Sequence, residues 1–538
     1  MASMEIEVLS RKLIKPSNPT PNHLRKLGIS LFDQLAAPKY FEVIFYYSGG
    51  PDDNTAKKKA ERCAQLENSL SDALSFFYLL AGRFVQDDIS VDCGDQGVEF
   101  AEAKVNGKLA DFMEGGLHIE LSDKLLPWDS PPPVKSVTSP LLGIQINTFD
   151  CGGVVVGMNF SHVTTDAASM GAFVNAWATA SRDGIDSTGV LCSNSSSSFH
   201  HEIASHFPAR ISSGSDLPIP PVPKPKNLAD NKDKIVTKRF VFDQTIIKSI
   251  KESAMKAKNG SIQEIKASKV VVALALLWKA FMGLSVAKHG YLRAPVLNVA
   301  MNLREKLSYL RISEKSFGNF CIPRIVTSTN NDKMELQDLM IFLSNAIRDT
   351  SVKVAEARSD EDISKILIEC RRELMEKRDL TDGFDVYICS SWCRFPLYDE
   401  ADFGWGKPFW VSICSQPAEG VRLMDTKNGD GIEVWSNIGE CSYMKSSHQH
   451  FSCQTWEFKP FFALPCNRIA RKNITERSFG NFWFPVVAHY EGRPSKLELH
   501  ELVSILDNAV KRTAENIKKA SRDEIFLTAT YAFKKMVD

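Results

Sequence analysis

Between residues 62 and 82, RCAQLENSLSDALSFFYLLAG, apolar side chains recur at helical spacing (Leu66, Leu70, Ala73, Leu74, Phe77) and the run stops at Gly82. That pattern predicts a helix lying on a core. The segments after it change period. FVQDDISVDC, VEFAEAKV, PLLGIQINTF and GGVVVGMNF are rich in β-branched residues and bounded by Gly, Pro and Asp, as strands are. A helix on a sheet is the simplest layer they can form. After GGVVVGMNF, the stretch DAASMGAFVNAWATA sets Met170, Phe173, Val174, Trp177 and Ala178 on one stripe, predicting a second helix.

From 186 to 235 the pattern dissolves into DSTGVLCSNSSSSFHHE and the Pro- and Lys-dense SDLPIPPVPKPKNLADNKDK, a long crossover. A second helix-and-strand unit follows: VTKRFVFD, the apolar helix ASKVVVALALLWKAFMGL, and APVLNVAMNLREKL. The expected division is an N-terminal domain at 1–190, a linker at 191–235, a C-terminal domain at 236–440 and a tail at 441–538. The tail repeats what precedes it. ISEKSFGNFCIP (312–323) returns as ITERSFGNFWFP (474–485), with eight of twelve positions identical, and KMELQDLMIFLSNAIRDT (333–350) returns as KLELHELVSILDNAVKRT (496–513), with eight of eighteen. So wide a spacing is not a solenoid period; it points to a partial duplication of residues 312–375.

With 538 residues, 43% of them hydrophobic, the chain can bury substantial cores. Lys plus Arg and Asp plus Glu both number 65, so no overall field draws it to nucleic acid or an anionic membrane. Small-molecule partners are expected. The N-terminus lacks a signal-peptide core, no window is expected to reach the length of a membrane span, and the twelve cysteines are scattered singly. A cytoplasmic, reduced protein is the expectation.

His162 lies between the predicted strand and helix, in NFSHVTTDAAS. Such turns are where α/β sheets build sites. A neutral imidazole there could take a proton from an alcohol or amine as that group attacks an activated carbonyl. Asp166, four residues on, has two structural readings: a helix cap, or a partner for a cation elsewhere. Competing chemistry is thin. There is no G-x-S-x-G elbow and no P-loop, and HEIASH (201–206) spaces its histidines five apart, missing the zinc-helix geometry, so no metal is expected.

The company of His162 is more specific. His162 and Asp166 form H-x-x-x-D, and far downstream stand Asp402, Phe403, Gly404, Trp405 and Gly406 as DFGWG. Together with FYLLAGR, KRFVFD, MNLRE, SFGNF and LMDTKNGDGIEVW, these make the chain resemble the BAHD plant acyltransferases, nearest their vinorine-synthase-like branch, over about residues 5–437. The resemblance implies an α/β fold of two chloramphenicol-acetyltransferase-like domains, each a mixed sheet flanked by helices, with an active-site channel at their interface. It implies an acyl-CoA co-substrate, acetyl-CoA in this branch, no bound cofactor, an alcohol or amine acceptor from plant specialised metabolism, and a monomer. His162 becomes the general base. Asp166 points away from the channel to an arginine, for which Arg304 of MNLRE is the candidate. Asp402 is a weaker candidate for catalysis; Phe403, Gly404, Trp405 and Gly406 support the architecture. The resemblance offers no motif for the coenzyme A contacts.

The tail supplies a competing reading. A chain whose normal closing segment is replaced could be a catalytically impaired chimera that only binds ligands or partners. Hydrolysis, with water as the acceptor, is a third.

Overall fold

The computed structural model describes residues 5–50, 53–113, 119–184, 202–210, 217, 235–256, 267–328, 334–379, 384–414, 419–439, 462–465 and 483–486. The chain divides into two compact units, Met1–Cys441 and Ser442–Asp538.

The first unit is built on two six-stranded mixed sheets. One contains β1 (Ile6–Ile14), β2 (Tyr40–Tyr47), β3 (Val98–Val105), β4 (Leu142–Phe149) and β5 (Val154–Ser161). The other contains β6 (Ile235–Phe242), β7 (Ala294–Asn302), β8 (Cys321–Thr327), β9 (Phe384–Ser391), β11 (Gly420–Asp425) and β12 (Ile432–Gly439). Between β9 and β11 the chain makes the short β10 (Trp410–Ser412). The first sheet runs β1-β3-β4-β5-β2-β10 and the second β8-β7-β9-β11-β12-β6. The parallel neighbours β3 and β4, β7 and β9, and β9 and β11 lie inside these sheets, as parallel pairs with their crossovers usually do.

Strand β10 crosses the expected division. It follows the DFGWG loop in the C-terminal half, yet it pairs antiparallel with β2, Trp410 opposite Tyr46 and Ser412 opposite Ile44. A linear boundary therefore misassigns it. It covers the edge of the first sheet, where unpaired backbone groups would otherwise be exposed.

The stripe after His162 is real. Helix α2 (Ala167–Asp183) buries Met170, Phe173, Val174, Trp177 and Ala178 completely or almost so. It packs against α1 (Ala56–Phe76). This helix ends six residues short of the expected stop, because the chain tightens into a 3₁₀ turn at Tyr78–Ala81 before Gly82. Two strands that the pattern did not announce, β1 and β2, complete the sheet. All eight residues of β2 are buried, so it has no alternation to read.

One expectation is corrected in α3 (Lys269–His289). Its window Lys269–Val286 has a mean hydropathy of 1.8 and is long and apolar enough to cross a membrane. Its apolar side is core: Leu274, Trp278 and Phe281 are buried, and the Phe281 ring stacks on Tyr387 of β9 at 3.7 Å. Two further helices, α4 (Leu336–Glu356) and α5 (Asp360–Asp379), flank the second sheet.

In the second unit the strands Phe462–Pro465 and Trp483–Val486 pair antiparallel, Phe462 opposite Val486. At the offset of the repeat, 483–486 is the copy of 321–324, the start of β8. The second repeated stretch, 496–513, and most of the expected linker lie outside the described residues.

Candidate active site

Strand β5 ends at Ser161 and α2 begins at Ala167, so His162 stands in the short turn between them. Its backbone is held on both sides. The His162 N–H donates to the Lys39 carbonyl at 2.8 Å, and its own carbonyl accepts from Asn319 Nδ2 at 2.9 Å. The edge of Phe41 meets the imidazole, with ring centroids 5.1 Å apart. Nδ1 is shut off from solvent and has no hydrogen-bond partner among the described residues. Proton exchange with a bound molecule therefore falls to Nε2.

The imidazole lines a cavity of about 220 Å³ between the two sheets. Phe32, Lys39 and Phe41 join it from the N-terminal half; Asn298, Ala300 and Asn302 of β7, Cys321 of β8, Ile388 and Ser390 of β9, Trp392, and Arg422 of β11 face it from the other. The wall is largely apolar with a few polar groups, as in small-molecule sites. The Arg422 guanidinium lies over the Trp392 ring, 5.6 Å from its centroid.

Burial, and after it the Lys39 ammonium, push the His162 pKa down to about 4; the Asp166 charge offsets only part of this. The imidazole is therefore neutral through the physiological range.

Asp166 borders the same cavity, but its carboxylate is committed elsewhere than to the imidazole. It caps α2, accepting from the Ser169 N–H at 2.9 Å, and takes Arg304 across both oxygens, Nη1 to Oδ2 at 2.8 Å and Nη2 to Oδ1 at 3.3 Å. The Phe320 N–H donates to Oδ2 at 3.1 Å. Burial alone would raise this carboxyl's pKa; Arg304 and the backbone donors outweigh it and hold it below the usual carboxylate range. Arg304 also donates to the Ser316 and Gly318 carbonyls, to Asn302 and to Ser169. Both residues are nearly inaccessible, at 3% and 5% exposure, so this is a buried ion pair with its remaining donors satisfied. It joins the turn of the first sheet to the loop ahead of β8.

Asp402 is not brought to His162. It does not line the cavity, and its Oδ1 accepts the N–H groups of Gly404 and Gly406 at 2.9 and 3.0 Å, closing its own loop. The carboxylate is thus engaged in its own loop, which is the supporting role the motif's other four residues were expected to have. Gly404 has φ +103° and Gly406 φ +106°, where a side chain would strain the backbone. Phe403 is fully buried, edge-on to Trp177 with centroids 4.7 Å apart, and its carbonyl accepts from Ser181 and Gln65. The Arg62 guanidinium covers Trp405. All of these partners belong to the N-terminal half, so the loop anchors the crossing that delivers β10. Asp402→Ala is expected to lower thermal stability by about 1–2 kcal/mol, the net worth of two hydrogen bonds in a solvent-facing loop, and to change kcat less than threefold. Thermal melts with steady-state rates check it.

Sequence reasoning missed Asn319 and Asp33. Asp33 is buried and accepts from the Asn319 N–H and Nδ2, and from Ser30. The S-x-x-D of SLFD (30–33) was a legible capping box, and the structure forms it. The reach to Asn319, 286 residues away, was not legible.

This geometry has relatives. The model of the Transferase family matches residues 4–452. Salutaridinol 7-O-acetyltransferase of Papaver somniferum is 33% identical over 82% of this chain and 96% of its own length. Acetyl-CoA-benzylalcohol acetyltransferase of Clarkia breweri is 32% identical over 83% and 98%. The crystal structure of vinorine synthase superposes with a TM-score of 0.63 at 28% identity, over 82% of this chain and 96% of that one. The chain accordingly belongs to the Transferase family, that of the BAHD acyltransferases, and is an acyltransferase of the two-sheet, chloramphenicol-acetyltransferase-like fold.

Proposed function

We propose that this chain moves an acetyl group from acetyl-CoA to the hydroxyl of a plant specialised metabolite, with His162 as the general base. The observation that carries the reading is a neutral histidine, freed of its motif aspartate, facing a cavity that both sheets line. The names of the relatives support acetyl as the acyl group and an alcohol as the acceptor class. An amine would satisfy the same chemistry.

Nε2 of His162 accepts the acceptor's hydroxyl proton as its oxygen attacks the thioester carbonyl carbon. The tetrahedral adduct then collapses, the C–S bond breaks, and the leaving thiolate takes the proton back from the imidazolium. Ester and free coenzyme A are the products, and no acyl-enzyme forms. Asp166, Arg304 and the DFGWG loop keep the turn and the two sheets in place and do not touch the reacting atoms. The described cysteines are free thiols, which supports a reducing, cytoplasmic setting.

Incubation with acetyl-CoA and a panel of alcohols, each beside its amine counterpart, tests the reading by mass spectrometry. An acetylated alcohol is the expected product. Its absence across a broad panel, with other acyl-CoA donors also silent, would return the chain to a binding role.

The lowered pKa adds a pH prediction. The acid limb of kcat/KM should fall near pH 4, and the rate should be flat from pH 6 to 8, where an ordinary histidine would still be titrating. Stability follows the same group. Between pH 6.5 and 4 the unfolded chain binds a proton that the folded chain refuses, so this contribution is complete above 6.5 and is lost as pH falls toward 4. Rate and melting profiles over pH 4–8 check both.

A further inference from the structure

The SFGNF segment, residues 316–320, has no part in the chemistry above, yet it is among the best kept stretches of the internal repeat. Its backbone is threaded through the site. The Gly318 carbonyl accepts from Arg304 and from Ser169, the Gly318 N–H donates back to Ser169, and the Phe320 N–H reaches Asp166. Gly318 itself has φ +123°. The remaining member, Asn319, is the one that touches His162.

We infer that Asn319, held by Asp33, is a positioning residue that aims the His162 imidazole, an inference that rests on His162 being the base. A residue in a turn is aimed by its backbone, and misplacing a reacting group by about 1 Å costs on the order of 100-fold. His162 has two backbone pins. The first, to the Lys39 carbonyl, lies within its own half. The second, from Asn319 Nδ2 at 2.9 Å, comes from the other half. Asn319 has little freedom to give: its Nδ2 also donates to Asp33 Oδ1 at 2.8 Å, and its backbone N–H donates to that same oxygen at 2.7 Å. The other Asp33 oxygen is taken by the Ser30 N–H and hydroxyl at 3.0 and 2.7 Å. Asn319 and Asp33 are both buried, at 4% and 7% exposure, so water does not compete for these bonds. The chain of contacts runs from the capping box at Ser30, through Asp33 and Asn319, to the carbonyl of the base. Asp166, committed to Arg304 and the α2 cap, plays no such part toward the imidazole, whose Nδ1 has no partner among the described residues.

The test compares the full-length chain with its Asn319→Ala, Asp33→Asn, Ile363→Ala and His162→Ala variants. The probes are acetyl-CoA and the alcohol from the panel that the wild type acetylates fastest. Ile363 is buried in the core cluster that contains Phe32 and Phe320 but does not line the cavity, so it serves as the stability control. Asn319→Ala is expected to lower kcat by about 30- to 100-fold, with the KM for acetyl-CoA within twofold of wild type. Asp33→Asn, which keeps the shape of the group, should lower kcat by about tenfold and stands in should the alanine variant not fold. Ile363→Ala should lose melting temperature at unchanged kcat. A crystal structure of Asn319→Ala, or of Asp33→Asn in its stead, should show the imidazole displaced. The inference is overturned if kcat falls no further than in the control, if the loss lies in KM, or if the imidazole stays in place. Full activity of His162→Ala would instead remove the general-base reading beneath it.

Discussion

His162→Ala is expected to lower kcat for acyl transfer by about 10³-fold, within the usual range for loss of a general base, while the chain stays folded. The size follows from the step it serves. Without the imidazole, an un-ionised hydroxyl must attack the thioester with only water to take its proton, and a thousandfold loss corresponds to about 4 kcal/mol of barrier. Folding should be spared because the side chain bears little else: Nδ1 has no hydrogen-bond partner among the described residues, and the backbone bonds to Lys39 and Asn319 do not depend on the ring. The KM for acetyl-CoA should move little, since the loss is confined to the transition state. Steady-state kinetics beside a circular dichroism melt separate this outcome from unfolding.

The second large effect concerns stability. Arg304→Met should destabilise the first unit by about 3–5 kcal/mol, the cost of leaving a buried carboxylate without its cation. The position is unusually exacting. Six contacts converge on this guanidinium, and Asp166, the Ser316 and Gly318 carbonyls and the Ser169 hydroxyl would lose a donor together. Lysine would not restore them, because a point charge cannot span both Asp166 oxygens. The double variant Asp166→Asn with Arg304→Met should recover part of the loss, because no buried charge is then left unpaired. The pH dependence has a definite sign. The folded pKa of Asp166 lies below its ordinary value, so the stability it contributes is present above that ordinary value, 3.8, and is lost as pH falls through the lower folded one. Urea titrations at pH 7 and pH 3 should therefore show a wild-type advantage over Arg304→Met that narrows in acid.

Much of this was legible in the sequence, for different physical reasons at different places. Helix α2 and its buried stripe follow from periodicity, and the turn at His162 follows from a strand running straight into that helix. The pairing of Asp166 with Arg304 was expected only through resemblance; periodicity cannot join residues 138 apart. Asn319 and Asp33 escaped altogether, since each looks like an ordinary loop or capping residue until folding brings them together. Strand β10 escaped because three residues carry no period, and its pairing goes with a loop whose Phe403 packs on Trp177 of the other half. The apolar window of α3 was underestimated because its role as a core helix is set by the sheet it covers, and its composition alone is that of a membrane span.

Acyl transfer by His162 requires that coenzyme A release depend on both an acceptor and that histidine. Thiol release from acetyl-CoA should be measured in wild type and His162→Ala, with the alcohol that wild type acetylates and without it. Release is expected to need the alcohol, rise in step with ester, show no initial burst, and disappear in the variant. Release of equal rate without the alcohol would make the chain a thioester hydrolase, and alcohol-dependent release that survives in His162→Ala would take the base away from His162.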